Sequence, residues 1–139
     1  MDAVSIGMSG LDVEWQRLQV IAQNLANMNS TRGENGDVYR PMTLVSGANS
    51  FGAMIDGSAM APTGVHVVSI EAQANGLRRV YEPTHPHADS EGFVTYPNVD
   101  HAAEMTLMIK TSRAYEANLV AVSMAQQMYL HALDIGRQS

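Results

Sequence analysis

His85 and His87 flank Pro86, Asp89 and Glu91 follow closely, and His101 lies beyond. Imidazoles and carboxylates at that density are the donor set for zinc or another divalent ion. A His-X-His pair on a strand would turn both rings to one side, but Pro86 denies the segment a regular strand. The competing reading is a rigid, exposed connector whose prolines fix its direction. That reading is preferred, because the acids of a proline-containing turn are placed to stay solvated.

Other chemistry has less to stand on. Nucleophilic catalysis needs a nucleophile, a base and an orienting group held together, and no Gly-X-Ser-X-Gly elbow occurs. Ser9-Gly10, near a helix start, reads as a small pair that allows close packing. The glycines near 47–57 are followed by no Gly-Lys-Ser or Gly-Lys-Thr, so no phosphate loop is present. The chain has no cysteine, which excludes disulfides and thiolate metal sites. Met105, Met108, Met124 and Met128 recur at helical spacing, where packing is a better reading than copper binding. The inventory implies no enzyme, no metal and no cofactor.

Charge narrows the partners. The net charge is −6, and Lys110 is the single lysine. A nucleic-acid binder carries a basic stripe or patch, and none is found. An acidic balance also disfavours anionic membranes, and no run of about 20 apolar residues exists to span one. Residues 1–15 contain Asp2, Asp12 and Glu14 and lack a positive n-region, so no signal peptide is expected. Charged residues make up only 16% of the chain and aromatics 6%. That composition, rich in Met and Ala, suits adaptable helix–helix contacts better than an aromatic core.

The elements that would position these residues fall in three regions. Over 4–29, Val4, Met8, Leu11, Trp15, Leu18, Ala22, Leu25 and Asn29 alternate spacings of four and three, a heptad seam on one helix. Asn27, Asn29, Ser30 and Gly33 mark its end. Residues 30–98 hold all five prolines and shift to a period of two. Val65 to Ile70, Leu77 to Glu82 and Gly92 to Tyr96 are strand candidates, and Asn75-Gly76 signals a hairpin between the first two. Residues 46–64, rich in Gly, Ala and Ser, read as a flexible loop. Residues 99–136 read as a second long helix, capped by Asn98 or Asp100, with Glu104 favoured by the helix dipole. Met105, Met108, Ser112, Tyr115, Leu119, Val122, Gln126, Tyr129 and Leu133 form its main seam. Ala114, Ala121, Ala125, Met128, Ala132 and Ile135 form a flanking one.

The predicted fold is mainly α with a small β region. Two long terminal helices pair as an antiparallel coiled coil around a central β-hairpin or strand region and a flexible loop. The division is 1–30, 31–98 and 99–139. Two seams on one helix imply two helical neighbours, and the chain supplies one. The surplus face is read as contact with other subunits, the alternative being cover from the β region. Asn24 and Asn27 are read as amides that fix register with a neighbour, as buried polar residues do in coiled coils.

Three segments carry a resemblance. Ser9 to Asn27, ending in Asn24-Leu25-Ala26-Asn27, resembles the N-terminal signature of flagellar rod, hook and hook-associated proteins. Glu104 to Asn118, which includes Ile109 and Tyr115, is similar to their C-terminal signature. Tyr81 to Asp89 and Gly92 to Val99 resemble the segment that marks the short proximal rod members. Trp15 departs from the pattern, standing where the family has a smaller or polar residue. The resemblance implies a structural subunit of the basal-body rod. It implies export by the flagellar type III apparatus and assembly with copies of itself and other rod proteins into a helical tube across the periplasm. The terminal helices would form the inner wall and transmit torque. A stand-alone protein-binding adaptor is the alternative.

Overall fold

The computed structural model describes residues 3–48 and 64–138. These residues form two helices and two small antiparallel sheets. Helix α1 spans Ala3–Ala26 and helix α2 spans His101–Gln138. Between them run β1 (Met42–Ala48), β2 (Val65–Ala72), β3 (Leu77–Tyr81) and β4 (Phe93–Pro97). The mainly helical expectation with a small β region therefore holds. Most of the loop expected at 46–64 lies outside the described residues, although its first three residues belong to β1.

The predicted hairpin does not form. β2 pairs with β1 and β3 with β4, each antiparallel, so Asn75-Gly76 links two separate sheets. A tight two-residue hairpin needs positive φ at its central residues, and neither Asn75 nor Gly76 has it. Instead Gly76 N–H donates to the Gln73 carbonyl at 3.1 Å, and the Gly76 carbonyl accepts from Asn98 N–H at 2.9 Å. β1 went unread in the sequence because Met-Thr-Leu-Val-Ser-Gly-Ala has no clear alternation. A register shift at Val45/Ser46 interrupts its pairing with β2.

The core is small. α1 lies between the β1–β2 sheet and α2. Val13 and Val20 meet Leu44, with Met42 and Val67 packed against them. Asp100 caps α2: its Oδ1 accepts from Ala103 N–H at 3.1 Å, and its carbonyl accepts from Glu104 N–H at 2.9 Å.

The second sheet is closed by a polar turn. Asp89 Oδ1 accepts from Phe93 N–H at 2.9 Å and Glu91 N–H at 3.0 Å, while Arg79 pairs with Oδ2 at 2.5 Å. Gly92 sits at φ +84°, a conformation that L side chains rarely adopt. The Phe93 bond first, then Arg79 and Glu91, hold the Asp89 carboxyl below its ordinary value despite partial desolvation. A lowered folded-state value stabilises the turn above the unfolded value of about 3.9. That stability is lost as pH falls through the folded value. An NMR titration should therefore move the Phe93 and Glu91 amides only below about pH 4. Movement between pH 5 and 7 would contradict this account.

Candidate assembly surface

The helices run antiparallel, because Gly7 faces Val122, Gly10 faces Asn118, Trp15 meets Tyr115 and Asn24 reaches Glu104. The side of α2 turned toward α1 is Glu104, Met108, Thr111, Tyr115, Asn118, Val122 and Ala125, all buried or half-buried. These positions alternate spacings of four and three, one stripe of a helix. Three of them are polar, so a search for apolar periodicity selects a neighbouring stripe. Met108, Tyr115 and Val122 belong to both.

Asn24 organises the joint. It is 1% exposed. Its Nδ2 donates to the Met42 carbonyl at 2.8 Å and to Glu104 Oε1 at 3.3 Å. Its Oδ1 accepts from Met42 N–H at 2.9 Å and from the Tyr39 hydroxyl at 2.8 Å. One amide thus ties α1 to the segment before β1, to β1 itself and to α2. By bonding both backbone groups of Met42 it also stands in for a strand at that edge. Burial raises the Tyr39 hydroxyl above its ordinary value, and the Glu104 charge adds to the rise. The register bonds read for Asn24 toward a neighbour are made inside the chain. Asn27 behaves differently: its Nδ2 donates at 2.9 Å to the Gln23 carbonyl of its own helix, and its Oδ1 accepts from the Ser30 hydroxyl at 3.3 Å.

The heptad seam of α1 points elsewhere. The face packed inside the chain is Val13, Val20, Ile21 and Asn24. Leu11, Leu18 and Leu25 are half-buried, Ala22 is exposed, and Met8 and Trp15 are 58% and 53% exposed. The indole of Trp15 covers one side of Tyr115, with centroids 6.4 Å apart.

α2 is uncovered over most of its circumference. Met105, Leu107, Ile109, Leu119, Val120, Met124, Met128, Tyr129, Leu130, Leu133 and Ile135 are exposed. Ser112 is half-buried and Val122 is buried. Because Gly7 is level with Val122, the part of α2 beyond Ala125 passes the start of α1. At 1.5 Å per residue that is roughly 20 Å of helix. Every residue from Gln126 to Arg137 is exposed.

The histidine pair is part of a turn that meets the segment following α1. His87 Nδ1 lies 2.8 Å from Thr31 Oγ1, and His85 Nδ1 accepts from His87 N–H at 3.0 Å. Among the described residues no three His, Asp or Glu side chains converge on a common point. No described helix is long and apolar enough to cross a membrane.

Comparison with known proteins decides what this surface belongs to. Residues 5–33 match the family model for flagella basal body rod proteins. Residues 90–135 match that for the C-terminal region of flagellar basal body rod FlgEFG proteins. The flagellar basal-body rod protein FlgC of Bacillus subtilis is 36% identical over 145 residues, covering 97% of each chain. That of Escherichia coli O6:H1 is 37% identical over 138 residues, covering 99% of this chain and 98% of the relative. That of Salmonella typhimurium is 36% identical over 137 residues, with the same coverage. The chain belongs to the FlgC family of flagellar basal-body rod proteins. As a FlgC-family member it is a structural component of the flagellar basal-body rod. Gly7 is the residue that apolar patterning missed. A Cβ there would fall well inside the van der Waals contact distance from Val122 Cγ2, so the helices can approach this closely only over glycine.

Proposed function

We propose that this chain builds the rod by burying the open faces of its terminal helices against copies of itself and other rod proteins. Its helix pair acts as a short antiparallel coiled coil. The observation that carries this reading is the set of large apolar side chains that α2 leaves exposed on several sides, Met105, Ile109, Leu119, Met124, Met128 and Leu133 among them. Apolar surface on a helix calls for a packing partner, and among the described residues α1 is the one substantial neighbour of α2.

The interface proposed on α1 is Met8, Leu11, Trp15, Leu18, Ala22, Leu25 and Asn27. On α2 the open face is Met105, Ile109, Leu119, Met128 and Leu133, with Ser112 half-buried beside it, while Met108, Tyr115, Asn118 and Val122 pack against α1 and hold the pair that presents it. Asn24 serves this interface by holding the pair in register. Covering about six large apolar side chains per helix at roughly 1.5–3 kcal/mol each gives a gross gain on the order of 10–20 kcal/mol. Ordering entropy offsets much of it. On this reading the central sheets lie on the outside of the packed helices, with β1 and β2 against α1, and the role is mechanical, torque passing through the packed helices. The chain performs no chemistry and reaches the periplasm through the flagellar export apparatus. A stand-alone adaptor would leave this exposed surface without purpose.

Leu119→Asp tests the proposal. Leu119 is 52% exposed, so a charge there costs the free chain little. In an assembled rod the same charge is buried without a partner, at several kcal/mol. Export should continue while basal bodies and motility are lost. Normal swimming in that variant would count heavily against the helix-face model.

A further inference from the structure

Among the described residues one buried carboxylate has an oxygen left unanswered. Glu104 is 9% exposed, and its Oε2 has no hydrogen-bond partner. Its Oε1 has only the 3.3 Å bond from Asn24. Glu104 lines a cleft of about 340 Å³ between α1, β1 and the first turns of α2. The apolar walls of that cleft include Val20, Ile21, Leu44 and Leu107. Arg17 borders it but is committed to Glu14 at 2.9 Å. Lys110 also borders it, yet among the described residues it makes no ion pair with Glu104. A buried carboxylate without a cation is costly, and a cation from outside the chain removes that cost.

Resting on the rod reading above, we infer that this cleft receives the C-terminal helix end of a neighbouring rod subunit, a basic side chain of which pairs with Glu104. The end of α2 in this chain supplies the chemistry of such an occupant. Met128, Leu133 and Ile135 are exposed there, and Arg137 lies in the last turn. A cation at a helix C-terminus is favoured by the helix dipole. Apolar residues with a guanidinium at their tip complement apolar walls with a carboxylate among them.

The chain's own tip cannot be the occupant. The cleft is level with residues 104–114 and the tip spans 126–137 of the same helix, roughly 35 Å apart at 1.5 Å per residue. A contact of one subunit's tip with the next subunit's cleft is head-to-tail and does not close on itself, so it propagates along an axis.

The test places a photo-crosslinking amino acid at Thr43, an exposed residue of the cleft rim, in flagellated cells that depend on this chain. Adducts are then mapped by mass spectrometry. The expected adducts fall in the C-terminal helix end of a rod subunit. Glu104→Gln, which retains an oxygen for Asn24, should lower their yield at least five-fold while the melting temperature and export hold. Adducts to any other segment or protein, no adduct, or an undiminished yield in a folded Glu104→Gln chain would overturn the inference. If that variant fails to fold, the adduct map of the unsubstituted chain decides alone. Normal basal bodies without the expected adduct would sink the cleft contact and leave the helix-face reading intact. That reading fails only on a motile Leu119→Asp strain.

Discussion

Replacing Asn24 with alanine is expected to destabilise the isolated chain by about 3–5 kcal/mol, while the same change at Asn27 costs about 0.5 kcal/mol or less. The two asparagines sit in one Asn-Leu-Ala-Asn run, yet their surroundings differ. Asn24→Ala leaves the Met42 N–H, the Met42 carbonyl and Glu104 Oε1 without their partners in a buried joint. Each orphaned buried group costs roughly 1–3 kcal/mol, and more when charged. The Tyr39 hydroxyl, only half-buried, can turn to water and contributes less. Asn27 donates to a carbonyl of its own helix and lies near its end, where water replaces the bond at little cost.

Urea unfolding followed by circular dichroism gives both numbers. Amide exchange at Met42 gives the mechanism, since its N–H donates to Asn24 Oδ1. Fast exchange at Met42 in Asn24→Ala, with Phe93 and its sheet unaffected, is the expected pattern. Equal losses at the two asparagines would mean that Asn24 is not the centre of the joint.

The helices were legible because their periodicity is long and their stops are clear. The predicted spans of 4–29 and 99–136 stand beside Ala3–Ala26 and His101–Gln138. The faces were not legible in the same way. Apolar spacing found the seam from Val4 to Asn29, of which the chain leaves Met8, Trp15 and Ala22 open and half-buries Leu11, Leu18 and Leu25. It passed over the inward stripe of α2, where Glu104, Thr111 and Asn118 interrupt the apolar run. The signal that would have found it is the pairing of Asn24 with Glu104 across an interface, and no single-helix pattern contains that information. Strand partners were misread for a related reason. Asn-Gly announces a turn locally, but whether the flanking strands pair is decided by β1 and β4, which lie outside the dipeptide. The exposed part of the surface proposed for assembly was readable as surplus apolar residues because, among the described residues, no element packs over Met105, Ile109, Leu119, Met128 or Leu133.

The closest helix contact sets the second large effect, and its sign is diagnostic. Alanine is a better helix former than glycine by about 1 kcal/mol, so Gly→Ala in an open helix interior stabilises. At Gly136 an added Cβ meets no atom within 4 Å, and Gly136→Ala should be neutral or stabilising by up to about 1 kcal/mol. At Gly10 the Cβ meets Asn118 Nδ2 at 2.9 Å, the far end of a flexible side chain. That amide can swing aside, so the gain and the cost nearly cancel. At Gly7 the Cβ overlaps Val122 Cγ2, a β-branched methyl with few rotamers to escape into. Overpacking of this kind costs roughly 1–3 kcal/mol, which exceeds the propensity gain and forces the helices apart. Val122→Ala removes the clashing methyls at its own cost of about 1–2 kcal/mol. The double variant Gly7→Ala with Val122→Ala should then be more stable than the sum of the single losses predicts, by at least about 1 kcal/mol. Additive losses would place Gly7 and Val122 out of contact and undo the antiparallel register from which the open face of α2 is drawn.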